Sequence, residues 1–266
     1  MAELTVGLLH PGEMGAAIGT LLRERGTTVL WASEGRSAAT ARRAEGAGLE
    51  DAGSVDEVVR SSDVIFSVCP PHAALDVARS VSGFTGVYVD ANAISPATAH
   101  AVADAVARVV DGGIVGAPPR RSGTTRLYLS GAEADVVAEL FGGTAVDARI
   151  VSQEVGHASA VKMAYAAWTK GTAALLLAVR SLARSEGVEP TLLEEWSLSL
   201  PELPEQSVRA ARAAATKGWR WVGEMEEIAS TFAAAGLPAG FHEAAAEVFR
   251  AISDDLVHAW PRAVPS

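Results

Sequence analysis

The segment that most narrows what this chain can fold into is Gly7-Leu-Leu-His-Pro-Gly-Glu-Met-Gly15, which stands between an apolar run, Leu4 to Leu9, and a helix-spaced stretch, Ala16 to Leu22. A strand that feeds a glycine turn and then a helix opens a βαβ unit, and in a dinucleotide-binding domain that turn has the spacing G-x-G-x-x-G. Here the second and third glycine positions are Gly12 and Gly15, and the first is His10. Gly12 lets the backbone approach a pyrophosphate, and Gly15 lets the helix pack closely on the strand. The free N–H groups and positive dipole end of the helix face the anion. His10, Pro11, Gly12, Glu13 and Met14 are therefore the expected phosphate cradle. His10 departs from the pattern, because the first glycine normally makes the tight bend, and a slightly wider loop is expected. A strand-to-helix turn that binds nothing is the plain alternative.

The rest of the first half keeps alternating. Thr27 to Trp31, Val64 to Val68, Val87 to Val89, Ile114 to Gly116 and Leu127 to Leu129 read as strands, and Ser37 to Ala47 as a second helix. Runs this apolar are buried on both faces, as in a parallel sheet covered by helices, and the alternation implies right-handed βαβ units. Near Val151 the pattern changes. From Val155 to Ser185 alanine and leucine dominate and Gly171 is the one strong breaker, so a long, largely buried helix is predicted. Pro190, Pro201 and Pro204 punctuate shorter segments. Gly236 to Gly240 separates two further helices, the last running from about Phe241 to Val257. The expected fold is α/β: a Rossmann domain with a mainly parallel sheet over residues 1–152, then an all-α substrate and dimerisation domain over 153–266.

Composition removes several functions. A formal net charge of -10 argues against a general nucleic-acid or anionic-membrane binder, while leaving room for a local basic pocket. No apolar run approaches the roughly 20 residues of a membrane span. Cys69 is the single cysteine, so neither a disulfide framework nor a cysteine zinc cluster is available. Neither His72 nor His157 has a second histidine or a carboxylate at ligand spacing, and no metal is predicted. The N-terminus lacks a secretory pattern, and a cytoplasmic location is expected.

The second strand suggests which dinucleotide binds. NAD-binding domains usually carry an acid at its end for the ribose hydroxyls, but here Ala32 and Ser33 occupy that region. Arg36 offers a donor fork suited to a 2′-phosphate, with Ser33 and Ser37 as added donors. NADPH is favoured. A one-residue shift would let Glu34 serve as the ribose acid, so NADH stays open.

Four segments, in order, carry a family resemblance: Gly7 to Gly15, Ser67-Val-Cys-Pro-Pro71, Val89-Asp-Ala-Asn-Ala-Ile-Ser-Pro96 and Val155-Gly-His-Ala-Ser-Ala-Val-Lys-Met163. The chain resembles the β-hydroxyacid dehydrogenase superfamily, which includes 6-phosphogluconate dehydrogenases, 3-hydroxyisobutyrate dehydrogenases and imine reductases. The C-terminal part is similar to a poorly characterised phosphogluconate-dehydrogenase-like branch, most distinctively at Lys162 to Gly171 and Trp219 to Ile228. The resemblance implies that Cys69, Pro70, His72 and Asn92 lie beside the cofactor, that Asn92 belongs to the substrate loop, and that Lys162 is the catalytic lysine. It also matches a glycine-rich substrate loop to Gly116 through Ser122, with Pro118 and Pro119 as substrate contacts and Arg120 and Arg121 as a possible anion clamp. The characterised enzymes carry an Asn about one turn after the lysine, where this chain has Tyr165 and Ala166. That departure weighs against 6-phosphogluconate and simple 3-hydroxy acids.

The chemistry can also be argued from the residues. Reducing C=O or C=N with a hydride needs a proton donor nearby, and a lysine serves if burial brings its pKa toward neutrality. Lys162 lies near the start of an apolar helix, with Ser159, Tyr165 and Thr169 on or near its face. Tyr165 is a candidate donor or a packed core tyrosine. Lys170 is a weaker candidate than Lys162. Trp221 and Met225 are candidate substrate contacts from the second domain or a partner subunit, and Glu224 lies with them. Three readings follow: an NADPH-dependent oxidoreductase acting on a small hydroxyl or carbonyl substrate, an imine reductase, and a non-catalytic dinucleotide-binding module. The apolar helices suggest a homodimer.

Overall fold

A computed structural model describes residues 4–252. The chain divides into two compact units, Met1–Met163 and Ala164–Ser266.

Eight strands of the first unit form one sheet: β1 (Thr5–Leu9), β2 (Thr28–Trp31), β3 (Glu50–Asp51), β4 (Val64–Ser67), β5 (Val87–Asp90), β6 (Val109–Gly116), β7 (Thr125–Ser130) and β8 (Val146–Ser152). Their spatial order is β3-β2-β1-β4-β5-β6-β7-β8. All neighbours are parallel except β6 and β7, which are antiparallel. The first six strands have the order of a doubly wound dinucleotide-binding sheet, which reverses direction between β1 and β4 and opens a crevice at the carboxyl ends of the strands there. Leu9 stands opposite Ser67 across this pair, so the glycine turn and the loop after β4 both open on that crevice.

Six helices cover the sheet: α1 (Glu13–Glu24), α2 (Ala38–Gly46), α3 (Val55–Ser61), α4 (Ala74–Ser80), α5 (Pro96–Ala105) and α6 (Ala134–Glu139). Ser37, Ser54 and Ser95 cap α2, α3 and α5, each accepting the backbone N–H three residues on. Alternation along the strands fills two cores. Val6, Leu8, Phe66 and Val89 pack with Ile18 and Leu22 of α1 on one face, while Leu9, Ile65 and Tyr88 pack with Val58, Ala78 and Val102 on the other. Phe66 meets Phe141 edge to face at 5.8 Å. Full burial of such a side chain contributes about 2–3 kcal/mol.

Helix α7 (His157–Ser185) starts in the first unit, and the boundary between units falls within it. The second unit continues with α8 (Glu189–Ser199), α9 (Leu203–Ala234) and α10 (Gly240–Ala251). The short segments expected around the prolines give way to a 32-residue α9, because Pro204 occupies its first turn. There the missing N–H would have had no helical partner anyway. Fully buried Arg180 joins three helices, donating to Glu189 Oε1 at 2.6 Å and to Ser207 Oγ at 3.1 Å. Hydrogen bonds from Arg184 and Arg180 hold the Glu189 carboxyl below the usual range. The predicted continuation of the last helix to Val257 lies outside the described residues. Among those residues no helix is long and apolar enough to cross a membrane.

Candidate active site

The glycine turn has one open side and one closed side. Gly12 begins α1 with φ -71° and ψ -169°, a conformation any residue adopts, and an added Cβ would meet nothing within 4 Å. At Gly15 an added Cβ would lie 3.0 Å from the His10 carbonyl oxygen. The open position is where a phosphate needs access, and the closed one is where the helix meets the strand. His10 is the one non-glycine among the described residues with positive φ, at 66°. The wider loop expected at His10 does not form. His10 takes the left-handed conformation that a first glycine would supply, at about 1–2 kcal/mol of strain, and its carbonyl accepts the Gly12 N–H at 2.7 Å. Burial first, and then the nearby Arg36 charge, push the His10 imidazole down to about 4, so it is neutral near pH 7. Its buried Nδ1 has no hydrogen-bond partner among the described residues. The groups at this turn that could hold an anion are thus backbone N–H groups and the α1 N-terminus, beside the open space at Gly12.

Beyond β2, the buried Arg36 Nε likewise lacks a partner among the described residues. The Arg36 charge acts on both His10 and Cys69. Ser37 spends its hydroxyl as the α2 cap, and the Ser33 carbonyl accepts the Arg36 N–H. Sequence reasoning missed Arg43. Its Nε donates to the Pro11 carbonyl at 3.3 Å and its Nη2 to Thr40 Oγ1 at 3.2 Å, so α2 brings a second guanidinium to the cradle. The signal available was its place in the arginine-rich helix after Arg36.

Asn92 is buried after β5, and its amide is fully engaged. Nδ2 donates to Ser67 Oγ at 3.1 Å and to Asp90 Oδ2 at 3.0 Å, while Oδ1 accepts the Cys69 N–H. The side chain thus fixes the loop carrying Cys69 and Pro70. Burial pushes the Cys69 thiol up to about 12, so it is no nucleophile near neutrality. His72 sits exposed in a 3-10 turn, Pro71–Ala73.

Asp111, also missed by sequence reasoning, sets the position of Lys162. It is fully buried in β6. Its Oδ2 accepts from Ser130 Oγ at 2.9 Å, Gly156 N at 3.0 Å and Ser159 N at 2.9 Å, and its Oδ1 accepts from Ser159 Oγ at 2.6 Å. A carboxylate on the sheet thus caps the α7 N-terminus, where the helix dipole favours negative charge. Ser159, expected at a substrate, gives its hydroxyl to this cap. Two residues along β6, an added Cβ on Gly113 would lie 2.7 Å from the Ala158 carbonyl and 2.9 Å from Lys162 Cβ. Glycine here lets α7 press against the strand and brings Lys162 onto it. Asp111→Ala should destabilise the protein by about 3–5 kcal/mol, because the donors it satisfies stay buried. Denaturant unfolding checks this, and a loss under about 1 kcal/mol would contradict the capping argument.

The remaining candidates belong to one unit or the other. Pro119 lines a cavity with Leu21 and Arg25 at the end of α1 remote from the glycine turn, and Pro118 lies beside it in sequence. In the second unit Tyr165 is exposed, and the Thr169 hydroxyl bonds back to the Tyr165 carbonyl. Met225 is fully buried, and Trp221 packs edge-on to Phe249 at 5.1 Å. Lys170 pairs with Glu224 at 2.7 Å. Among the described residues no group of three or more His, Cys, Asp or Glu is arranged to hold a metal ion.

Known proteins share this fold. Residues 5–94 match the family described as NADP oxidoreductase coenzyme F420-dependent, and residues 183–252 match a domain of unknown function. An uncharacterised 28.5 kDa protein of Methanothermus fervidus is 31% identical over 196 residues, covering 72% of this chain and 75% of its own. A solved protein of unknown function, described as structurally similar to 3-hydroxyacid dehydrogenases, is 29% identical with a TM-score of 0.71, over 96% of this chain and 98% of its own. A reductive aminase from Aspergillus terreus, solved with NADPH and ethyl levulinate, shares the fold at 20% identity and a TM-score of 0.58, over 94% of each chain. The chain belongs to the same family as the Methanothermus fervidus protein, and it has the fold of the 3-hydroxyacid dehydrogenases.

Proposed function

We propose that the protein is an NADPH-dependent reductase or dehydrogenase acting on a small hydroxyl/carbonyl pair, with Lys162 relaying the proton. The observation that carries this reading is the Asp111 cap together with the Gly113 contact, which fix Lys162 on the same sheet whose switch point holds the glycine turn. The nicotinamide, when bound, supplies or accepts the hydride. In reduction, the Lys162 ammonium hands a proton to the substrate oxygen as hydride arrives at carbon, and oxidation reverses both transfers. Backbone N–H groups around Gly12 hold the pyrophosphate, while Asn92 holds the β4 loop in place. Following NADPH oxidation across ketone and cyclic-imine panels tests the proposal. Turnover confined to imines would replace it with the imine reductase reading, which the missing Asn one turn after Lys162 favours. No turnover with any substrate would leave the dinucleotide-binding module.

The preference for NADPH rests on Arg36, with Arg43 in support. A charge-assisted bond to a 2′-phosphate is worth about 1.5–3 kcal/mol. Arg36→Ala should therefore lower the ratio of NADPH to NADH affinity about ten- to a hundredfold in fluorescence titrations. An unchanged ratio removes Arg36 from cofactor discrimination.

We also propose a homodimer formed through α7. Trp168, Leu175 and Leu182 recur every seven residues along that helix and are 75%, 49% and 62% exposed. An apolar stripe of this kind marks an association surface. Sedimentation should give a dimer at micromolar concentration and a monomer for Trp168→Glu. A monomeric parent protein would refute the proposal.

A further inference from the structure

We propose a second ligand site in the first unit, an anion site at the opposite end of α1 from the glycine turn. A cavity of about 400 Å³ there is lined by Arg25, Arg120, Arg121, Ser122 and Glu24, among others. Arg25 is the C-terminal cap of α1, and Arg120 and Arg121 stand on the loop between β6 and β7.

Three observations point to a ligand. First, none of these three guanidiniums has a hydrogen bond or ion pair among the described residues. Elsewhere in the protein Arg60, Arg79, Arg108, Arg149, Arg209 and Arg250 lie on carboxylates. Second, three guanidiniums face a single lining carboxylate, Glu24, in a chain whose net charge is -10. Acids are abundant, yet this cavity keeps a surplus of positive charge, and gathering like charges is unfavourable without a counter-ion. Third, the cavity is closer in size to a metabolite than to a dinucleotide.

The site is separate from the cradle. Gly12 and Glu24 bound α1, and at about 1.5 Å of rise per residue that is about 18 Å, beyond the reach of one phosphate group. The matching ligand is a compact polyanion bearing two or three negative charges, either phosphate-bearing or a polycarboxylate. Guanidinium forks suit both, because each presents paired oxygens to two parallel N–H groups.

Calorimetric titration of the full chain at fixed ionic strength tests this, with inorganic pyrophosphate in one arm and citrate in the other. At least one should bind with a sub-millimolar Kd, and the tighter of the two identifies the ligand class. Because pyrophosphate can also occupy the glycine turn, both arms are repeated on Gly12→Val and on Arg120→Ala/Arg121→Ala. Binding should persist in Gly12→Val and weaken at least tenfold in the double variant, whose exposed loop positions leave the thermal midpoint unchanged. Absence of saturable binding, or binding lost in Gly12→Val and kept in the double variant, would overturn the proposal.

Discussion

Gly12→Val should fold as the parent does and bind NADPH at least a hundredfold more weakly. The two halves of this expectation have separate causes. The fold is spared because Gly12 already holds an ordinary extended conformation and no atom lies within 4 Å of where a Cβ would be. The residue caps α1 without using a side chain, so its replacement costs at most about 1 kcal/mol of helix-start preference. Binding is lost because phosphate oxygens must come within about 2.9 Å of the turn's N–H groups, and an isopropyl group would stand in that space. Calorimetric titration with NADPH and a melting curve measure the two halves. An affinity within threefold of the parent would mean that the pyrophosphate lies elsewhere. A collapsed melting temperature would mean that the open space is needed by the protein itself.

Lys162→Met should leave NADPH affinity unchanged and lower kcat about 10²- to 10⁴-fold, the range that a positioned proton donor contributes. Methionine keeps an unbranched stem against Gly113 and removes only the ammonium. The Asp111 cap makes no use of the Lys162 side chain, so the helix start should stay in place. Steady-state turnover on whichever substrate the panels identify is the readout. Undiminished turnover would take Lys162 out of the mechanism, while a parallel loss of cofactor affinity would reassign it to binding.

The legible part of this protein was the part whose meaning is local. Gly12 and Gly15 act within one turn of chain, so their spacing after an apolar strand was enough. The long α7 was legible because alanine and leucine persist through it, and six of the strands because they carry apolar runs; the acidic β3 and the largely exposed β8 give no such signal and were missed. What escaped was chemistry that depends on distant partners. Asp111 looks like an interruption in a strand until Gly156 and Ser159 arrive, 45 and 48 residues later, to donate to it. Asn92 was assigned to the cofactor loop, yet Ser67 and Cys69 of the neighbouring strand and its loop take up its amide. Arg43 gains its interest from the Pro11 carbonyl, 32 residues earlier. Arg120 and Arg121 follow a strand that ends near α1, and no periodicity in the sequence reveals that neighbour.

His10 bears on how fast a ligand can enter. Its left-handed backbone is imposed by the fold, with the Gly12 N–H and the packing at Gly15 holding it in place. The loop's entropy is thus surrendered when the protein folds rather than when the nucleotide arrives. Association should be a single bimolecular phase, linear in nucleotide concentration, with no slow isomerisation behind it.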